Sequence, residues 1–220
     1  MSGDAYVVLR TENVLLAMAD GLGHGPTARE AALAFCEFVS LHADWPLDAI
    51  LRASSQAMAH TRGAAAGLLR IGLGTGRASF AAVGNVELRT ASARPFHPVS
   101  TPGIVGRPFR NVVVFEYEMS PGDTLVLHTD GISSRMDPSL LAGLDEQDAA
   151  DAVLREHGKD HDDATCVVVR ALQGAGKDSG AGERESAAAS HALQARGEPG
   201  TSAHLGAAGI AWQAHRWNRA

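Results

Sequence analysis

Val14-Leu15-Leu16-Ala17-Met18-Ala19-Asp20-Gly21-Leu22-Gly23-His24-Gly25 decides how this chain is read. Its first six residues form an apolar run of strand length. Beyond the glycines, Pro26-Thr27-Ala28-Arg29-Glu30 reads as a helix start. A carboxylate thus stands at the end of a buried strand, immediately before a glycine-rich turn. A hydrophobic core has no use for an Asp in that place, whereas a metal ion or a phosphate group has.

Working outward, other acidic residues stand in comparable settings. Asp4 lies in Ser2-Gly3-Asp4, just before the strand-like run from Tyr6 to Leu9. Asp130 follows the apolar stretch Thr124-Leu125-Val126-Leu127, in His128-Thr129-Asp130-Gly131. Asp162 and Asp163 precede Ala164-Thr165-Cys166-Val167-Val168-Val169. Carboxylates that converge from separate strands repel one another unless a cation neutralises them. An all-oxygen donor set suits Mg(II) or Mn(II) better than Zn(II), which prefers His and Cys.

The 220 residues are 45% apolar, enough for one good core, and carry a formal charge of −6. That acidity argues against nucleic-acid binding, which calls for a basic patch. There is no apolar run long enough to span a membrane and no basic-then-apolar leader, so a cytoplasmic protein is expected. Cys36 and Cys166 both sit among apolar residues and read as buried thiols rather than a disulfide. Composition shifts near residue 172. From there to residue 220 the chain is rich in Ala, Gly and Ser, and Gln173–Gly182 reads as flexible linker. Ser186–Arg196 suits at most a marginal helix. The segment as a whole reads as a disordered tail, with a docking peptide around Trp212 and Trp217 as the sharper alternative.

Residues 1–171 mix strands and helices. Tyr6–Leu9 and Asn13–Ala19 predict a hairpin around Arg10-Thr11-Glu12. Thr27 and Glu30 fit a capping box opening a helix to about Ser40, and a second helix is expected from Leu47 to Met58. Strands are then expected at Ala66–Gly72, Arg77–Val83, Val86–Thr90, Val112–Tyr117 and Thr124–His128, followed by a helix over Glu146–His157 and a last strand over Ala164–Arg170. Strands in runs and helices in blocks indicate α+β, with helices covering two stacked sheets.

In this order, Ser2-Gly3-Asp4, Ala19-Asp20-Gly21-Leu22-Gly23-His24-Gly25, Thr61-Arg62-Gly63, Val83-Gly84-Asn85-Val86, Gly122-Asp123-Thr124, Thr129-Asp130-Gly131 and Asp162-Asp163-Ala164-Thr165 resemble the PPM, or type 2C, metal-dependent protein Ser/Thr phosphatases. The closer likeness is to their bacterial SpoIIE and RsbX branch, and it covers residues 2 to about 171. It implies a four-layer α-β-β-α sandwich of two antiparallel sheets. It also implies two Mn(II) or Mg(II) ions and a metal-activated water that attacks phosphorus. Under it Asp20 would bridge both ions, with the Gly21 carbonyl on one of them. Asp130 and Asp162 would hold the other, and Asp4 would ligate the Gly21-side ion directly or through water. Asp163 would support rather than ligate. His24 is a candidate proton donor to the leaving oxygen, or else a turn residue bonding a metal water. The implied substrate is a phosphorylated regulator of a partner-switching or stressosome pathway, such as a STAS-domain anti-sigma antagonist.

The family has a strand before its Gly-Asp motif, whereas only Met1 and Ser2 precede Gly3 here. Either the start is misassigned or an edge strand is absent, which would expose a sheet edge and loosen Asp4. Two other functions compete. A catalytically inactive binding module would keep the fold without turnover. A histidine-kinase-like ATP site would read Asp20-Gly21-Leu22-Gly23 and Gly72-Leu73-Gly74-Thr75-Gly76 as glycine boxes, but it leaves Asp130 and Asp162 unexplained.

Overall fold

The hairpin around Arg10-Thr11-Glu12 forms: β1 (Asp4–Arg10) runs antiparallel to β2 (Asn13–Gly21). Tyr6, Val8, Val14, Leu16 and Met18 enter one buried cluster, and Val7, Leu9, Leu15, Ala17 and Ala19 enter another. Burial of both faces is why these strands read as unbroken apolar runs instead of alternating ones. The structure, a computed structural model, describes residues 2–73, 75–94, 96–160 and 162–171, together with strands at 195–196, 202–205 and 210–217.

The other strands are β3 (Ala64–Gly72), β4 (Arg77–Val83), β5 (Glu87–Ala91), β6 (Phe115–Glu118), β7 (Thr124–His128), β8 (Ala164–Ala171), β9 (Ala195–Arg196), β10 (Ser202–Leu205) and β11 (Ile210–Trp217). They make two antiparallel sheets, ordered β6-β4-β3-β2-β1-β9 and β10-β11-β8-β7-β5. Helices α1 (Pro26–Leu41) and α2 (Leu47–Ala57) cover the outer face of the first sheet through Phe35, Val39, Ile50 and Leu51. Helix α3 (Glu146–His157) and a 3-10 turn at Pro138–Leu141 cover the second through Leu141, Ala149, Ala150 and Val153. Between the sheets lie Leu16, Met18, Leu69, Phe80, Leu125, Leu127, Val167 and Val169, all almost fully buried. This is the expected four-layer α-β-β-α sandwich.

Several details depart from the sequence reading. The capping box does not form: α1 starts at Pro26, its cap is Gly25 at φ 80°, and no side chain caps it. Proline at the first helical position presets the helical φ, and only glycine adopts the preceding conformation cheaply. Residues 112–114 precede β6 without pairing into it, and the 3-10 turn was not foreseen. Strands β3 and β4, on either side of the second glycine box, pair antiparallel, which is not the strand-to-helix arrangement that cradles phosphate.

In the segment read as a tail, the described residues are the three strands β9, β10 and β11; the rest of that segment, including Gln173–Gly182 and most of Ser186–Arg196, lies outside the described residues. Strand β11 pairs with β8 along its whole length, from Ile210 opposite Ala171 to Trp217 opposite Ala164. The edge of β1 is met by β9 at Val7 and Val8. Asp4 is fully buried.

Phe80 fills the space between the sheets with 1% of its surface exposed. Phe80→Ala is expected to lower the free energy of unfolding by about 3–5 kcal/mol, read from a urea transition with unchanged slope. A loss below about 1 kcal/mol would mean the sheets do not pack through this side chain.

Candidate functional site

Four strand ends bring the acidic residues together. Antiparallel pairing sets Asp4 of β1 opposite Asp20 of β2. Asp130 leaves the end of β7 one residue after Thr129, and Asp162 stands two residues before β8, the neighbour of β7. Asp20, Gly21, Asp130 and Asp162 line one cleft of about 580 Å³, with Leu22, Gly23, Asn85, Ser100, Pro102 and Ile104 around them. Asp4 lies beneath it, buried, while Asp20 and Asp130 are half-buried and Asp162 is exposed.

Two Asp-Gly pairs make this convergence possible. A side chain at Gly21 would put its Cβ 1.9 Å from the Ala28 carbonyl oxygen of α1. At Gly131 it would lie 2.0 Å from the Asp163 carbonyl oxygen. In both places the backbone after the acid is pressed against another segment, which only glycine allows.

Asp4, Asp130, Asp162 and Asp163 each accept a hydrogen bond that orients the carboxylate. The Thr129 hydroxyl donates to Asp4 Oδ2 at 2.8 Å and accepts from the Thr165 amide at 3.1 Å. Asn85 Nδ2 donates to Asp130 Oδ2 at 2.6 Å. The Asp163 amide donates to Asp162 Oδ1 at 3.0 Å, and Asp163 Oδ2 accepts from the Gly3 amide at 2.6 Å. Arg29 Nη1 donates to the Asp4 backbone carbonyl at 2.7 Å. Asn85, Thr129 and Arg29 escaped the sequence reading as site residues; Gly84-Asn85 reads as a turn pair, and nothing local announces a contact across 45 residues.

The acids strain one another. Burial, and then the charges of Asp4, Asp130 and Asp162, push the Asp20 carboxyl up to about 8. Burial, and then Asp130, raise Asp162 as well. Burial pushes His128 down, so it adds no positive charge at neutral pH. A cluster of this kind is what a hard divalent cation relieves, and its donors are carboxylate and carbonyl oxygens, which fit Mg(II) or Mn(II). Among the described residues, however, no three His, Cys, Asp or Glu side chains are grouped so as to hold a metal ion. The Asp4, Asp130 and Asp162 carboxylates are turned to the donors just named.

The remaining candidates sit at the rim. His24 is exposed on the turn, one residue past the cleft-lining Gly23. Arg62 is exposed beside the same turn, where a Cβ on Gly23 would meet its Nη1 at 2.9 Å. Leu22, 41% exposed, stands at the mouth.

Comparison with known proteins places this cleft in context. The sequence model of the family described as Stage II sporulation protein E (SpoIIE) matches residues 10–180. The phosphoserine phosphatase RsbX of Bacillus subtilis (strain 168) is 29% identical over 134 residues, which cover 60% of this chain and 67% of RsbX. Among solved structures, a chain from work on the bacterial stressosome as a modular system adapted to control secondary messenger signalling is 29% identical, with a TM-score of 0.71 over 76% of this chain and 90% of that one. RsbX in complex with magnesium is 26% identical, with a TM-score of 0.68 over 76% and 86%. The PP2C domain of SiaA from Pseudomonas aeruginosa, 20% identical at a TM-score of 0.60 over 77% and 80%, shares the fold.

The raised Asp20 has a consequence for pH. Folded, Asp20 keeps its proton up to about pH 8; unfolded, it loses it near pH 4. The folded state holds the extra proton between those values, so metal-free stability falls as pH rises through that window and levels off above it. The slope from this group is at most about 1.4 kcal/mol per pH unit. Thermal midpoints in EDTA are expected to fall from pH 5 to pH 8, and less steeply in Asp20→Asn. Parallel curves for the two proteins would show that Asp20 is not the strained group.

Proposed function

The chain belongs to the SpoIIE family, and from that premise we propose that its acidic cleft hydrolyses phosphoserine or phosphothreonine on a protein, with Mn(II) or Mg(II). That the chain is a phosphoprotein phosphatase follows from the family and from its likeness to a phosphoserine phosphatase. The convergence of Asp4, Asp20, Asp130 and Asp162 from strand ends carries the rest of the reading.

In this reading Asp20, Asp130 and Asp162, with Asp4 and the Gly21 carbonyl, would hold two cations. The cations, when bound, lower the pKa of a water and neutralise charge on the phosphoryl oxygens. The chain's own residues do the remaining work. Thr129 fixes the buried Asp4 and Asn85 fixes Asp130, so the carboxylates are aimed before substrate arrives. Asp163 ties Gly3 to the Asp162 turn and keeps the start of β1 beside it. Leu22, Pro102 and Ile104 give the cleft an apolar side beside the acids. His24, exposed at the rim, is the proposed donor of a proton to the leaving serine oxygen.

The proposed substrate is a phosphorylated regulator of a partner-switching or stressosome-type system, such as a STAS-domain anti-sigma antagonist. Likeness to RsbX and to a stressosome structure supports it. A cytoplasmic site of action is part of the same proposal; among the described residues no helix is long and apolar enough to cross a membrane.

Two results test the chemistry. Asp20→Asn and Asp130→Asn are each expected to abolish Mn(II)-dependent hydrolysis of p-nitrophenyl phosphate, by a factor of at least about 10², while circular dichroism stays that of a folded chain. Retained turnover in either would remove the two-cation assignment, and no turnover by the parent protein would favour an inactive binding module. His24→Gln separates the roles of the imidazole. A proton donor matters for a phosphoserine peptide, whose alkoxide leaves poorly, and hardly for p-nitrophenolate. Turnover of the peptide is therefore expected to fall about 10²-fold or more with the aryl ester spared; equal effects on both would end the proton-donor assignment.

A further inference from the structure

Residues 1–171 carry a net charge of −7, yet the stretch from Leu88 to Phe115 holds Arg89, Arg94, Arg107 and Arg110 and no acidic residue. Two of the four are neutralised locally: Arg89 pairs with Glu87 at 2.8 Å, and Arg94 with Glu118 at 3.6 Å. Arg107 donates to the carbonyls of Gly106 and Ala59, at 2.7 and 3.4 Å, and so keeps its full charge. Arg110 forms no ion pair with a described residue. Both line a groove of about 390 Å³ between α2 and the loop, where Arg52, Ser55, Pro108 and Phe109 complete the wall. Arg52 reaches it already paired with Asp48 at 3.0 Å and bonded to Asn111 at 3.1 Å.

The same loop serves the acidic cleft. Ser100, Pro102 and Ile104 line the cleft, and Gly106 to Arg110 line the groove. The loop is pinned at each step. Thr101 exchanges backbone hydrogen bonds with Ala82 and Gly84, and Val105 with Ala64. The Gly106 amide donates to Ser55 Oγ at 2.9 Å, and that hydroxyl donates to the Arg107 carbonyl at 2.9 Å. A turn bond from the Arg107 amide to the Ile104 carbonyl at 3.1 Å brings the cleft-lining and groove-lining residues within a turn's width of each other.

We propose that this groove binds an acidic segment flanking the phosphorylated residue of the protein substrate. The proposal rests on the phosphatase reading above and adds to it the class of substrate. An extended chain advances about 3.3 Å per residue, so a phosphoserine in the cleft sets carboxylates a few positions away over Arg107 and Arg110. With a net charge of −7 over residues 1–171, a basic wall beside the cleft is where an acidic segment is favoured.

The test uses the whole chain with Mn(II) and two phosphoserine peptides that differ only in flanking residues, three Asp on either side in one and three Asn in the other. The parent protein is expected to show a higher kcat/KM for the Asp peptide, by about tenfold at low salt and less at 0.5 M salt. In Arg110→Glu that ratio is expected to fall to one or below, and in Arg110→Gln to lie between. Hydrolysis of the Asn peptide reports that each variant is folded. Equal kcat/KM for the two peptides in the parent protein, or an unchanged ratio in Arg110→Glu, would overturn the groove assignment and leave the phosphatase reading standing. Failure of the parent protein to hydrolyse either peptide or p-nitrophenyl phosphate would overturn both.

Discussion

The mutual repulsion of four carboxylates is the constraint on which this structure turns. Antiparallel register alone brings Asp4 and Asp20 face to face. A slip of one residue would move Asp20 off its partner and would also swap the two faces of β2, each buried in a different core. Register, core and site are therefore one specification. The fold can hold the acids together because apolar packing on both sides of both sheets outweighs their repulsion, and because hydroxyl, amide and backbone donors orient them.

Much of this was written locally in the chain. Strands buried on both faces announce themselves as apolar runs, and β4, β7 and α3 begin and end where their patterns do. Asp20 and Asp130 stand out in the sequence because an Asp-Gly pair, ordinary as a turn, recurs after two separate apolar strands. The glycines themselves are explained only in three dimensions, by the carbonyls of Ala28 and Asp163 that press on them.

What escaped the sequence was settled by partners remote along the chain. Asn85 looks like a turn residue until Asp130 is beside it, and Thr129 like a strand end until Asp4 is beneath it. Strand β11 pairs where β8 offers a row of backbone donors and acceptors along eight residues. The cap of α1 went the other way, since a favourable local motif at Thr27 yielded to Pro26 and Gly25.

The loop from Ser100 to Arg110 separates two kinds of inheritance. Asp4 and Asp20 sit on strands that pack into two cores, and Asp130 and Asp162 lie within two residues of strand ends. The surface that would meet a protein partner sits on a loop fastened by backbone hydrogen bonds and by the buried Val105, and at Arg107 and Arg110 the side chains can be exchanged without loosening the fastening. Descendants of such a chain can acquire new clients by drift in this one segment while their chemistry stays fixed.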